Sequence, residues 1–132
     1  MLNGFDTVVF PTRDLQGSVA AWTELLGHGP VFAGEDFAAF DGDDVRFGLS
    51  ALPWVDHPLV FWQVDDVEEA HRALVARGAT PLGEVADGSL APIGEAEVTN
   101  GDPETGIVDV PGGRLAVLRV PDGNLLGLTQ KA

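Results

Sequence analysis

The feature that most constrains this chain is an internal repeat that spans both halves. Residues 5–12 and residues 59–64 are rich in β-forming side chains, and each run is followed by an aspartate that can cap a helix, Asp14 in the first half and Asp66 in the second. A glycine follows each predicted helix, and short β-like runs come next. Because a repeat of this length indicates a duplicated structural unit, the sequence predicts two copies of one βαβββ module.

The fold class predicted from this repeat is α+β, in a single domain with modules at residues 1–53 and 54–132. One βαβββ module alone has a curved sheet with an uncovered face. Two modules can place their helices outside and form a curved mixed sheet around a shared cup. The segment 86–105 interrupts the repeat, and we predict a long loop there. Alternatively, residues 95–99 and 107–110 form an extra hairpin.

The charge of the chain disfavours several classes of partner. Acidic residues number 21 against 7 basic ones, which gives a net charge of −14. Phosphates are repelled by such a surface, so we expect neither nucleic acid nor a membrane as partner, and a neutral or cationic ligand is easier to accommodate. The chain has no cysteine, which excludes disulfides and thiol catalysis. We recognise no signal peptide and no membrane-spanning stretch, so a cytoplasmic location is expected.

Several runs share a likeness to one known superfamily. They are residues 9–27 in the first half and, in the second half, Val-Asp-Asp-Val-Glu at 64–68, Ala-Arg-Gly-Ala-Thr at 76–80 and Pro-Asp-Gly-Asn-Leu at 121–125. In this order they resemble the two modules of the vicinal oxygen chelate superfamily, which includes glyoxalase I, extradiol dioxygenases and bleomycin resistance proteins. The likeness covers nearly the whole chain, and it implies the same two-module fold.

The resemblance also implies where a metal would bind. Metal-dependent members use a His or Gln in the first strand of each module and a Glu in the last strand of each, which suits a six-coordinate divalent ion. The matching positions here hold Thr7, Leu59 and Gly127. The fourth ligand would come from residues 45–52, where Arg46 is the only ionisable residue. We therefore predict no metal and no other cofactor.

The three histidines do not change that prediction. A slip of two residues in the register would bring His57 to the rim of the cup, but a single imidazole cannot hold a metal. We expect structural roles for His28, which follows the first helix, and for His71, which flanks the apolar face of the second helix. No nucleophile has a credible base beside it, and no phosphate-binding loop is present, so we predict no catalytic residue.

Strand alternation predicts which side chains line the cup. The lining is apolar with a few hydrogen-bonding groups, which is typical of sites for flat organic molecules. We expect Trp22 and Trp62 to pack between helix and sheet, and Trp54 to be able to stack on a ligand from its loop. Gly127 would leave room on the cup floor for a ligand ring. The predicted ligand-binding residues are Thr7, Val9, Phe40, Phe47, Trp54, Leu59, Phe61, Gln63, Leu125, Gly127 and Thr129.

The favoured hypothesis is a metal-free, non-catalytic protein that sequesters a small molecule. The ligand would be planar and apolar or cationic, such as an antibiotic or another natural product, as in self-resistance. The resemblance to bleomycin resistance proteins implies a homodimer with grooves between the chains. One alternative is an enzyme of the same fold, a lyase, isomerase or cyclase. Another is a ligand-responsive partner of a second protein.

Overall fold

The computed structural model describes residues 2–132 and divides into two compact units. Residues 6–60 form the first unit, and residues 2–5 with 61–132 form the second unit. Within the described residues, two helices accompany strands whose pairings are mostly antiparallel, as is typical of an α+β protein, so the predicted fold class is confirmed. In chain order the elements are β1 (Phe5–Pro11), α1 (Leu15–Leu26), β2 (Phe32–Ala33), β3 (Phe37–Phe40), β4 (Arg46–Ser50), β5 (Leu59–Gln63), α2 (Val67–Ala76), β6 (Thr80–Glu84), β7 (Leu90–Pro92), β8 (Val108–Val110), β9 (Gly113–Arg119) and β10 (Leu125–Lys131).

The sheet of the first unit has the strand order β2-β3-β4-β1. Strands β1 and β4 pair in parallel, with Val9 opposite Gly48, whereas the other two pairings are antiparallel. Helix α1 begins after Asp14, whose carboxylate accepts a hydrogen bond from the backbone N–H of Gly17, and it ends at Gly27 in the left-handed conformation. The aspartate cap and the glycine stop predicted for this helix are confirmed.

The sheet of the second unit has the order β5-β10-β9-β6-β7, with β8 paired to β9. Strands β5 and β10 are parallel and the other pairings are antiparallel. Helix α2 begins after Asp66, whose carboxylate accepts from the N–H groups of Glu68 and Glu69. Its apolar face packs on β9 and β10 to form a core of Val64, Val67, Ala70, Ala79, Ile107, Ala116, Leu118 and Leu128.

The boundary between the two compact units falls within β5, after Val60, and residues 61–63 of that strand pair with β10. The module bounds at residues 53 and 54 stay a prediction. The segment 86–105 contains the short strand β7, which pairs with β6, and residues 95–99 are not a strand. Residues 108–110 pair with β9 instead. Neither helix within the described residues has the length and apolar character that a membrane span requires.

Candidate functional site

Each unit has a sheet with one face against a helix and one face that its helix does not touch. In the first unit, the Trp22 ring of α1 lies 6.4 Å from the Phe10 ring and 4.4 Å from the Phe47 ring. Because side chains alternate along a strand, Thr7 and Val9 point to the opposite face of β1. We call that opposite face the helix-free face of each unit.

In the first unit, the helix-free face carries an aromatic ring over a glycine. A Cβ atom built on Gly48 would lie 2.8 Å from Cζ of Phe37 and 3.3 Å from Cγ2 of Val9. The Phe37 ring therefore rests against the backbone of Gly48. Arg46, two residues before Gly48, lies on the same face, and its Nε is 3.3 Å from Oδ1 of Asp41.

The helix-free face of the second unit also carries an aromatic ring over a glycine, but this ring comes from the parallel neighbour β5, whereas Phe37 comes from the antiparallel neighbour β3. Gly127 lies opposite Phe61 on one side and Val117 on the other. A Cβ atom built on Gly127 would lie 2.5 Å from Cδ1 and 2.8 Å from Cε1 of Phe61, so the Phe61 ring covers the glycine. Thr129 lies opposite Gln63, and both are partly exposed. Strand alternation also places Leu125 on this face.

The space over Gly127 differs from the prediction. The sequence suggested that the missing side chain leaves room for the ring of a ligand. The structure instead fills that room with the ring of Phe61 from the neighbouring strand. A glycine is needed there because any larger residue would collide with the protein's own ring. A ligand would therefore meet the partly exposed Phe61 ring and not a bare backbone.

Two predicted ligand residues lie on the other face. Phe47 is opposite Val8 in β1 and opposite Phe40 in β3, which puts all three on the face that α1 covers. The Phe40 and Phe47 ring centres are 5.7 Å apart, and Phe40 is fully buried. The register gives these two rings to the core of the first unit together with Trp22, away from the helix-free face, and their contact with a ligand stays a prediction.

The other predicted residues have varied surroundings. Leu59 is buried, with 2% of its surface exposed, and Val9 is also buried. The Thr7 hydroxyl donates to a carboxylate oxygen of Asp6 at 2.8 Å. Trp54 lies in the loop after β4, and its indole Nε1 is buried with no hydrogen-bond partner among the described residues. Contact of these side chains with a ligand stays a prediction.

The positions that the resemblance assigns to metal ligands do not form a metal centre of that kind. The Thr7 hydroxyl already donates to Asp6, Leu59 has no donor atom, and Gly127 lies under the Phe61 ring. Arg46 is a cation and is paired with Asp41. Among residues 2–132, no three His, Asp or Glu side chains lie close enough to share one metal ion.

The second unit also contains a buried histidine. His71 of α2 has only 5% of its surface exposed, and no described residue hydrogen-bonds to its Nε2. Burial lowers the pKa of His71 below its ordinary value, and this effect is opposed by a hydrogen bond with the backbone of Thr105 and by the negative charge of Asp102. His71 points to the helix side of the sheet, so it is not part of the helix-free face.

A shallow depression of about 320 Å³ also lies on the helix side of the second unit. Two of its three acidic groups have partners in the chain: Asp66 caps α2, and Asp65 accepts a hydrogen bond from the side-chain amide of Asn3, while Glu69 lies in the first turn of α2. Negative charge is favoured at a helix N-terminus, so capping accounts for them. The depression contains no predicted ligand residue and is lined by Val64, Asp65, Asp66, Glu69, Ala70 and Ala73.

Sequence reasoning missed two functional candidates, Phe37 and Arg119. Arg119 lies in β9 between Leu125 and Thr80, and it alternates with Leu115 and Val117, so it belongs to the helix-free face of the second unit. Strand alternation could have found Arg119, because Ala116 and Leu118 of β9 belong to the core under α2 and the residues between them point to the other face. The position of the Phe37 ring over a glycine has no comparable sequence signal.

No family model and no curated protein matches this sequence, but solved structures do. Methylmalonyl-CoA epimerase from Mycobacterium tuberculosis is similar over 99% of this chain and 89% of its own, with TM-score 0.65 and 17% identity. A glyoxalase/bleomycin resistance protein/dioxygenase superfamily member from Vibrio splendidus 12B01 is similar over 96% and 97%, with TM-score 0.57 and 16% identity. The fold is that of the glyoxalase and bleomycin resistance proteins.

A further similar structure is the Mn(II)-bound glyoxalase from Novosphingobium aromaticivorans, with TM-score 0.60 and 19% identity over 98% of this chain and 39% of its own. At these identities the likeness shows the glyoxalase and bleomycin resistance fold, and the chemistry has to come from the residues of this chain. Both named enzymes and a bleomycin resistance superfamily member share that fold.

Proposed function

We propose that the protein binds a planar, largely apolar small molecule, such as an antibiotic or another natural product, and releases it chemically unchanged. One observation carries the proposal: the partly exposed ring of Phe61 covers Gly127, where the resemblance implies a metal-binding glutamate. That position therefore offers an aromatic surface and no ligand for a metal. Aromatic surfaces with a few polar groups nearby suit flat organic molecules.

The helix-free face of the second unit supplies the interactions such a ligand needs. Stacking on Phe61 contributes about 0.5–1.5 kcal/mol beyond area burial. Apolar area on Leu125 and Leu115 adds about 25 cal/mol for each Å² removed from water. Gln63 and Thr129, which lie side by side, can orient polar substituents through hydrogen bonds of about 0.5–1.5 kcal/mol each.

The second candidate is an enzyme of the same fold. It is favoured by the similar structures that are named as an epimerase and a glyoxalase. Among the described residues, however, the helix-free face of the second unit has no His and one carboxylate by strand alternation, Glu84, which accepts a hydrogen bond from the side-chain amide of Asn100. The two candidates differ in whether the ligand leaves with a changed covalent structure, which in an isomerisation or epimerisation keeps the same mass.

Native mass spectrometry after incubation with planar aromatic compounds, including 2-naphthamide and aromatic antibiotics, tests the proposal. We expect one molecule bound per chain and recovery of that molecule with its mass, its NMR spectrum and its stereochemistry on chiral chromatography unchanged. Phe61→Ala should weaken binding about threefold to tenfold, the value of a lost stacking contact, whereas Phe37→Ala in the first unit should not. A change in mass, NMR spectrum or stereochemistry would establish the enzyme, and no binding by any compound would contradict both ligand-based functions.

We also propose that the purified protein carries no stoichiometric transition metal. The support is that Thr7, Leu59 and Gly127, at the positions implied for metal ligands, do not provide the donor atoms that such a metal needs. Elemental analysis after dialysis should find far less than one Ni, Zn, Fe or Mn per chain. About one metal per chain would contradict the proposal and would favour the enzyme.

A homodimer is a further part of the proposal, with a charge-poor patch of the first unit as its contact. Residues 25–34 contain no Asp, Glu, Lys or Arg, and α1 contains one charged residue, Glu24. Two chains that each carry a net charge of −14 repel each other wherever their surfaces are acidic, so they can meet most easily at this patch. Its exposed side chains are Leu25 (74%), Val31 (56%), Phe32 (53%) and Leu26 (42%).

Sedimentation velocity at micromolar concentration tests the dimer. The parent chain should sediment as a dimer, and Leu25→Glu combined with Val31→Glu should give a monomer. Val75→Glu is the control, because Val75 is an exposed apolar residue on α2. A parent chain that sediments as a monomer would rule out the dimer, and a dimer that survives the double substitution would rule out this patch.

A further inference from the structure

We infer that the ligand of the second unit carries a carboxylate, which Arg119 binds at the edge of the helix-free face. This inference rests on the proposed function and names the class of molecule more narrowly. It also departs from the sequence-based expectation of a neutral or cationic ligand, which followed from net charge alone.

Arg119 stands beside the surface that would stack on the ligand. Its neighbour across the sheet is Leu125, and Val117, two residues away in β9, lies opposite Gly127. Two residues of strand span about 7 Å. A ring stacked on Phe61 therefore lies within a short distance of the guanidinium, and a carboxylate attached to that ring can reach it.

No described carboxylate forms an ion pair with Arg119, although acidic residues outnumber basic ones threefold. The one carboxylate that strand alternation puts on the same face is Glu84. It lies four residues along β6 from Thr80, the partner of Arg119, which is about 13 Å. The guanidinium thus keeps its planar pair of N–H donors free, a geometry that matches a carboxylate.

The first unit provides an internal comparison. Arg46 also shares a face with a glycine under an aromatic ring, Gly48 under Phe37, but it lies in the same strand as its glycine, and the carboxylate of Asp41 pairs with it. The chain itself therefore supplies the anion in the first unit. In the described part of the second unit no carboxylate does so, and the ligand is left to supply the anion. The net charge of −14 disfavours any acid in general, so a preference for an acid needs a local cation such as Arg119.

The test compares two probes that differ in one group, 2-naphthoic acid and its neutral amide, 2-naphthamide. Their dissociation constants would be measured by calorimetry at neutral pH and low ionic strength. We expect the parent chain to bind the acid about threefold to fivefold more tightly than the amide, as an ion pair with an exposed arginine allows. Arg119→Gln should remove that preference while leaving the affinity for the amide within about twofold.

Arg72→Gln is the matched control, because it changes the net charge equally on the exposed surface of α2. It should leave the preference for the acid unchanged. An equal affinity for both probes in the parent chain, or an acid preference that survives Arg119→Gln, would overturn the inference and leave the proposed function standing. Failure of both probes to bind would contradict the proposed function, and the inference would fall with it.

Discussion

The two units place the same three kinds of group on their helix-free faces, a glycine, a phenylalanine ring over it and an arginine. They differ in whether the arginine has an ion-pair partner. Phe37 rests on Gly48 in the first unit, and Phe61 rests on Gly127 in the second. An arginine stands on the same face in each, but only that of the first unit is paired, with Asp41. The comparison teaches that two sheets can each hold an aromatic ring over a glycine by different strand pairings, while the nearby charge is available in one of them only.

The two helices differ in how many side chains they bury, and here the second unit is the one with more internal contacts. Helix α1 has no buried residue, whereas α2 buries Val67, Ala70 and His71 against its sheet. Apolar side chains of α1, such as Leu25, remain exposed to solvent. The second unit therefore obtains core packing from its helix, while the first unit leaves an apolar helix surface that another molecule can cover.

The largest expected difference between the units is in how far a charge introduced on each helix lowers the free energy of unfolding. Ala70→Asp would place a carboxylate in the core of the second unit, where no cation faces it. We expect a loss of about 3–5 kcal/mol in the free energy of unfolding, the cost of an uncompensated buried charge. Ala20→Asp on the exposed surface of α1 is the matched control and should cost about 0.7 kcal/mol from helix propensity.

Urea denaturation of both variants checks this comparison. Equal losses would show that α1 is covered in solution, as a dimer through the charge-poor patch would cause. Repeating the measurement at a lower protein concentration separates the two explanations, because a dimer contact weakens on dilution whereas an intrachain core does not.

The next largest effect concerns the glycines under the two rings. Gly127→Ala would bring a Cβ atom within 2.5 Å of the Phe61 ring, whereas Gly48→Ala would bring one within 2.8 Å of the Phe37 ring. Such overpacking costs about 1–3 kcal/mol, and we expect the larger loss at Gly127. In a Phe61→Ala background, Gly127→Ala should cost almost nothing, because no ring remains to be displaced. A double-mutant cycle by urea denaturation measures this coupling. Additive losses would mean that the Phe61 ring does not rest on Gly127.

Much of the fold could be predicted from the sequence, because its signals are local. Asp14 and Asp66 cap the two helices as their positions before apolar periodic runs predict. The face of β1 was also predictable, since alternation needs only one anchored residue: Phe10 contacts Trp22 of α1, and Val9 points the other way.

The aromatic residues of the candidate site could not be assigned in the same way. Phe40 and Phe47 were chosen for their side-chain type, and the register that places them against α1 is set by pairing between distant strands. The Phe61 ring turns onto Gly127 through a side-chain rotation that alternation does not specify. Arg119, by contrast, follows from alternation along β9.

A smaller difference between the units should appear in the pH dependence of stability. Burial holds the pKa of His71 below 6.5, so between that lowered pKa and 6.5 the unfolded chain binds more protons than the folded chain. The free energy of unfolding should therefore rise with pH across that window and fall as the solution is acidified. The slope cannot exceed about 1.4 kcal/mol per pH unit for one group.

His71→Gln should flatten this part of the profile, whereas His28→Gln, at an exposed position in the first unit, should not. Urea denaturation between about pH 5 and about pH 7.5 measures both variants. If the slope persists in His71→Gln, the proton uptake belongs to other groups and His71 does not titrate on unfolding.

The smallest expected effect is in the ion pairs of the two arginines that have partners. Arg114 of the second unit lies 3.1 Å from Glu68 and 3.2 Å from Asp109, and its pKa is raised chiefly by the hydrogen bond with Glu68. Because these groups are largely exposed, each pair contributes less than about 1 kcal/mol.

Glu68→Gln should lower the free energy of unfolding more than Asp41→Asn in the first unit does, because Glu68 also lies in the first turn of α2, where the helix dipole favours negative charge. Asp109→Asn is the control that removes a pair with Arg114 and leaves the dipole term in place. Thermal unfolding at low and high salt checks the order, and salt should reduce all three losses. A larger loss for Asp41→Asn than for Glu68→Gln would mean that the pairing of Arg46 matters more to the first unit than its exposed position suggests.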